Sequence, residues 1–99
     1  MNGKIKYEFR AKTWQHSPPG GWCFVALPQT MSEEIRSMLK VQEEGWGRLK
    51  AIALIGKTEW DTALWFDTKS GTYLLPLKSE IRKKESISAE EELMVTVWL

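Results

Sequence analysis

Two residues of this sequence are the only soft nucleophile and the only imidazole, the pair that a cysteine-based catalytic site would need. They are Cys23 and His16, the single cysteine and the single histidine of the 99-residue chain. A catalytic thiol needs a base within hydrogen-bond reach and a third group that orients the base. Cys23 lies between Trp22 and Phe24, in a run that predicts a buried strand, where a thiol usually serves as a small apolar side chain. We therefore predict no catalytic residue, and the pattern favours a non-catalytic protein.

Metal and cofactor sites have equally little support in the sequence. One histidine and one cysteine do not form a zinc site unless several carboxylates join them. The chain contains no phosphate-binding loop, nucleophile elbow or dinucleotide-binding glycine pattern. The segment Gly45-Trp46-Gly47 resembles a glycine loop but lacks the lysine and the length that hold a phosphate. We expect neither a metal nor a cofactor.

Aromatic and basic side chains provide a candidate binding site instead. The chain has six tryptophans, and one of them, Trp46, stands between two glycines and just before Arg48. Lys78 and Arg82 share a later basic segment. An aromatic ring beside cations suits an anionic or planar ligand. We predict that a small molecule or a peptide binds in a cleft lined by these four residues and Tyr73, although solvated basic side chains would also explain the pattern.

A second possible function is protein interaction or dimerisation. Trp14 and Trp65 occupy corresponding places in an internal repeat, and strand alternation puts both on the polar face. Exposed aromatic side chains are favoured at recognition surfaces because they bury a large area at low entropic cost. The two residues therefore predict an interaction surface, with a homodimer as one possible product.

Nucleic-acid binding is a third possibility, through basic side chains on one face of the first strand. These residues are Lys4, Lys6, Arg10 and Lys12. The whole chain carries 14 basic and 13 acidic residues and a formal net charge of +1. This balance lacks the basic excess of a dedicated nucleic-acid-binding protein, so this function is not favoured.

An internal repeat organises the elements that must position these residues. Phe24-Val25-Ala26-Leu27-Pro28 and Tyr73-Leu74-Leu75-Pro76 are each followed by a polar cap and a short amphipathic segment. Each half, about residues 4–55 and 56–99, is predicted to form a strand, a strand, a helix and a strand. Matched pairs of the two halves are Glu8/Glu59, Trp14/Trp65, Pro28/Pro76 and Ile35/Ile81. Such a unit cannot bury its apolar face alone, so the halves are expected to share one core.

The predicted fold is mainly β, a six-stranded barrel-like domain with two short helices. Tyr7 and Phe9 alternate with charged residues in the first strand, which predicts one buried and one exposed face. Thr30 and Glu33 have the spacing of a capping box at the start of the first helix. Two halves that exchange strands can close a barrel and leave no bare edge. An open, curled α+β sheet is the alternative.

Composition agrees with one domain over residues 1–99. A chain of 11.5 kDa normally forms one core, and an apolar fraction of 42% is ample for it. No apolar run is long enough to cross a bilayer, and no signal segment opens the chain, so no membrane partner is expected. A lone cysteine cannot form an internal disulfide, which favours a reducing, cytoplasmic location.

The ordered motifs resemble those of a known bacterial family, domain of unknown function family 1905. They are Gly20-Gly21-Trp22 with Phe24-Val25 and Leu27-Pro28, then Gly45-Trp46-Gly47, then Gly71-Thr72-Tyr73-Leu74-Leu75-Pro76 with Lys78 and Arg82. The resemblance implies a small β-barrel-like domain, sometimes joined to a bacteriocin-protection-associated domain. It implies no established activity and no catalytic residues.

Overall fold

A closed antiparallel barrel forms the body of the molecule. The computed structural model describes residues 5–16, 22–39, 48–88 and 91–99, with the backbone alone at residues 14–16 and 22. Its elements are β1 (Lys6–His16), β2 (Trp22–Ala26), α1 (Gln29–Leu39), β3 (Arg48–Ile55), β4 (Thr58–Asp67), β5 (Thr72–Pro76), α2 (Ser79–Lys84) and β6 (Glu92–Trp98). The strands close in the order β1-β2-β5-β4-β3-β6. The predicted mainly-β barrel with two helices is confirmed, and the open-sheet alternative is wrong.

The barrel core follows from strand alternation. Tyr7 and Phe9 of β1 point inward and are buried, whereas the charged residues between them are exposed. In β3 every second residue from Leu49 to Ile55 is buried. Because the ring of strands has no free edge, all six strands bury one face against a common interior. Val25, Leu64, Leu75, Val95 and Val97 are among the fully buried core residues.

The backbone register has twofold pseudosymmetry at the seam between β2 and β5. The Leu27 N–H donates to the Tyr73 carbonyl at 2.9 Å, and the Leu77 N–H donates to the Cys23 carbonyl at 2.8 Å. Leu27 therefore corresponds to Leu77, and Cys23 corresponds to Tyr73. Each leucine lies two residues before a helix, since α1 begins at Gln29 and α2 at Ser79.

This register agrees with part of the predicted repeat and corrects the rest. Trp14 pairs with Phe24, and Trp65 pairs with Leu74, so the two tryptophans occupy corresponding backbone positions. Pro28 and Pro76 do not correspond, because Pro76 pairs with Phe24 inside the sheet whereas Pro28 directly precedes α1.

The predicted Ile35/Ile81 match is wrong for the same reason. Both side chains are buried, but Ile81 is the third residue of α2 and Ile35 the seventh of α1. The sequence alignment matched these residues by type, although the backbone register shows that they occupy different positions in the two halves. Internal duplication itself stays a prediction.

Helix α1 lies against one end of the barrel and is held there by polar contacts. The buried Ser32 hydroxyl accepts a hydrogen bond from the Tyr73 N–H at 3.0 Å. The Tyr7 hydroxyl donates to the Glu34 carboxylate at 3.1 Å. The predicted capping box is wrong, because α1 begins at Gln29 and Thr30 is already its second residue.

Helix α2 lies at the opposite end of the barrel. It follows β5, which runs antiparallel to the strand β2 that leads into α1. Glu85, the residue after α2, accepts a hydrogen bond from the Thr58 hydroxyl at 2.6 Å. The Thr13 hydroxyl donates to the Ser88 carbonyl at 2.8 Å. These contacts tie the segment around α2 to the start of β4 and the end of β1.

Candidate functional site

The described residues do not form the cleft predicted from the sequence. Arg48 is the first residue of β3 and pairs with Trp65 near the end of β4, at the barrel end that carries α1. Lys78 and Arg82 lie just before and within α2, at the other end. Their segments therefore do not border a common surface with Arg48. Trp46 lies outside the described residues.

Tyr73 is a core residue and not part of an exposed surface. Its side chain is fully buried, and its ring meets that of Phe66 edge to face with the centroids 5.1 Å apart. The Arg36 guanidinium lies over the Phe66 ring, 3.8 Å from its centroid. Aromatic packing and α1 thus close this end of the barrel. The prediction that Tyr73 lines a ligand cleft on the surface is wrong because the residue faces the barrel interior.

The thiol of Cys23 lies in the core near the α2 end of the barrel. Only 5% of the residue is exposed. Burial raises the pKa of Cys23 above its ordinary value, and the positive charge of Arg82 lowers it in part. Because the thiolate is the nucleophilic form, a raised pKa works against reactivity at neutral pH. Arg82 itself donates from Nε to the Leu77 carbonyl at 3.3 Å, which positions its side chain across the end of β5.

The outer surface of the barrel carries a different aromatic and basic cluster. Arg48 pairs with Trp65, and Trp65 pairs with Leu74, across three neighbouring strands. Directly paired residues of antiparallel strands point to the same side of the sheet. Arg48 is exposed and Trp65 and Leu74 are partly exposed. We call the outward side chains of Phe24, Arg48, Trp65 and Leu74 the Trp65 face.

Close contacts organise the Trp65 face. The Arg48 guanidinium carbon lies 5.9 Å from the centroid of the Trp65 ring. On the other side, the Phe24 ring lies 6.4 Å from that of Trp65, centroid to centroid, with the planes tilted by 58°. Phe24 is buried and forms the floor beside the more exposed indole. A cation, a partly exposed tryptophan and an apolar neighbour can together hold a planar anion.

Sequence reasoning selected Arg48 and Trp65 but placed them in different sites, and it did not select Phe24 as a site residue. What joins them is the pairing of β4 with β3 and β5, which cannot be read from any one segment. The backbone of Trp14 pairs with that of Phe24, and only the backbone of Trp14 is described. The predicted interaction surface of Trp14 and Trp65 is thus compatible with the register and stays a prediction.

The basic face predicted for nucleic acid is mixed in charge. Lys6, Arg10 and Lys12 are exposed on β1, but Glu8 stands between them and lies 3.8 Å from Lys6 in an ion pair. Lys12 is paired across the sheet with Glu92. Lys4 lies outside the described residues. Nucleic-acid phosphates bind to cations whose charge is not already neutralised. The neighbouring carboxylates therefore make nucleic-acid binding by this face less favourable.

Two further properties concern the described part of the chain. None of its helices has the length and apolar character needed to cross a bilayer. Among its histidine, cysteine, aspartate and glutamate side chains, no group of three or more is arranged to hold a metal ion.

Comparison with known proteins places almost the whole chain in one family. The model of the family described as Domain of unknown function (DUF1905) matches residues 9–97. A search of curated proteins finds no match. The family match includes both helices and β2 to β5 in full, and most of β1 and β6.

Proposed function

We propose that this chain, which belongs to the family of domains of unknown function DUF1905, is a non-catalytic binding module whose Trp65 face binds a planar organic anion. The observation that carries the proposal is the exposed Arg48 guanidinium beside the partly exposed ring of Trp65. An indole offers a broad apolar surface for stacking, and a guanidinium offers a fixed fork of donors for a carboxylate, sulfonate or phosphate.

The position of the cluster also supports binding. The side chains are carried by paired strands of a closed barrel, so the backbone that positions them is held by hydrogen bonds on both sides. A ligand therefore meets a surface that is largely formed in advance, and little binding energy is lost in ordering it. Phe24 and Leu74 add apolar contact beside the indole.

A pair of matched ligands tests the proposal. We would titrate the protein with 1-anilinonaphthalene-8-sulfonate, an anion with a planar naphthalene ring, and with N-phenyl-1-naphthylamine, which has the same rings and no charge. Arg48→Gln should weaken binding of the sulfonate by about tenfold, or about 1.4 kcal/mol, and leave the uncharged ligand unaffected. Trp65→Ala should weaken both.

Arg10→Gln is the control, because Arg10 is an exposed arginine on β1 outside the Trp65 face. It should leave both affinities unchanged. The proposal is wrong if Arg48→Gln and Arg10→Gln have equal effects on the sulfonate, or if Trp65→Ala retains full affinity for both ligands. Melting temperatures measured without ligand separate loss of binding from loss of folding.

A further inference from the structure

A second outward surface of the barrel shares strand β3 with the Trp65 face, but its residues lie nearer the α2 end of that strand. Its centre is the seam between β3 and β6, which stands across the ring of strands from the seam between β2 and β5. One row of paired residues crosses four strands here. Asp61 pairs with Ile52, Ile52 with Trp98, and Trp98 with Lys6. From β4 to β1, the side chains of this row are therefore acidic, apolar, apolar and basic.

The middle of this surface is apolar although it faces outward. Leu54 pairs with Thr96 in the row next to Ile52 and Trp98. Ile52, Leu54 and Trp98 are partly exposed and do not belong to the core cluster. Met94, two residues before Thr96 on the same side of β6, is 51% exposed. We call the outward side chains of Ile52, Leu54, Met94 and Trp98 the seam patch.

The two rims of the seam patch differ in charge. On the β4 side stand the exposed carboxylates of Glu59 and Asp61. On the β1 side stand the exposed cations Lys6 and Arg10, with Glu8 between them. A surface with one acidic and one basic rim around an apolar centre is complementary to its own copy turned by a twofold axis that runs along the strands.

We propose that the seam patch is the interface of a homodimer. A twofold axis parallel to the strands places β4 of one copy over β1 of the other, so Asp61 faces the other copy's Lys6. The paired rows then set apolar residues against apolar residues at the centre. An axis perpendicular to the strands would instead set the acidic rim against itself, which is unfavourable.

The neighbouring row limits the strength of this contact. It contains Glu59 at one rim and Glu8 at the other, and the same axis brings these two carboxylates towards each other. Glu8 lies 3.8 Å from Lys6 within one copy, which offsets part of the repulsion. The apolar centre must therefore supply most of the affinity, and the charged rims set the orientation.

Sedimentation velocity over a range of protein concentrations tests the proposal, since a dimer dissociates on dilution. Met94→Lys introduces a charge at an exposed position and should weaken dimerisation by at least tenfold. A loss of this size is typical when a residue that carries much of the binding energy of an interface is removed. Met38→Lys is the matched control, because Met38 is also an exposed methionine, 48% accessible, but lies on α1. It should leave the dimer intact.

Charge reversal tests the orientation. Asp61→Lys alone and Lys6→Asp alone should each weaken the dimer, because like charges then face each other, and the double variant should recover it. A wild-type chain that stays monomeric at every concentration overturns the proposal. Equal effects of Met94→Lys and Met38→Lys also overturn it, as does a double variant no better than the single ones. Binding of 1-anilinonaphthalene-8-sulfonate by the monomeric variants tests the Trp65 face separately.

Discussion

The hydrogen bond between α1 and β5 gives the sharpest test of how the barrel end is held. Ser32 is fully buried, and its hydroxyl accepts from the Tyr73 N–H at 3.0 Å. Ser32→Ala removes the acceptor and leaves that N–H without its partner in a site that excludes water. An unsatisfied buried donor of this kind costs about 1–3 kcal/mol.

Ser32→Ala also changes the helix propensity at position 32, and a second serine of α1 allows this effect to be measured separately. Alanine is a better helix former than serine by roughly 0.5 kcal/mol, so part of the loss at position 32 is hidden. Ser37 is an exposed serine of the same helix. Ser37→Ala should therefore stabilise the protein slightly, and the difference between the two variants isolates the buried hydrogen bond.

Urea denaturation followed by circular dichroism measures both variants. We expect Ser32→Ala to be less stable than Ser37→Ala by about 1.5–3 kcal/mol. In a domain of this size, each 1 kcal/mol lowers the melting temperature by about 4–8 °C. A difference below about 0.5 kcal/mol would refute the reasoning, because it would mean that the Tyr73 N–H finds an equivalent partner once the hydroxyl is gone.

Two further predictions concern backbone strain and pH. Gly56 and Gly71 have φ of +59° and +70°. An added Cβ at Gly71 would lie 3.9 Å from the nearest atom, whereas at Gly56 it would displace the Glu85 carboxylate, which accepts hydrogen bonds from the Thr58 hydroxyl and the Lys57 N–H. Gly56→Ala should therefore destabilise the protein more than the roughly 1 kcal/mol expected from strain alone at Gly71→Ala, as measured by urea denaturation. Burial, and then the hydrogen bond to and charge of Glu34, raise the pKa of Tyr7 above its ordinary value of 10.0. The folded protein thus holds this proton more tightly, so its stability should fall as pH rises above 10, and Tyr7→Phe should remove this part of the alkaline loss in a pH series of melting curves.

Local patterns of the sequence predicted the strands well, because burial of one face of a strand produces an alternation of apolar and polar residues in the sequence. The alternation around Tyr7 and Phe9 of β1 requires only that the strand has an inner and an outer side. The start of α1 was harder to predict. The spacing of Thr30 and Glu33 fits a capping box, but the helix begins at Gln29, and Ser32 turns inward to accept a hydrogen bond from a strand 41 residues later. A tertiary contact of this kind has no local signal.

The separation of Arg48 from Lys78 and Arg82 has a topological cause. Two halves related by a twofold axis through an antiparallel seam must send their corresponding helices to opposite ends of the barrel. Because β2 and β5 form that seam, α1 and α2 leave in opposite directions. β3 follows α1 and begins at the α1 end, so Arg48 and Arg82 lie at opposite ends of the barrel. Arg48 instead meets Trp65, since β3 pairs with β4, and for this reason the proposed ligand site is on the barrel wall and not at the α2 end.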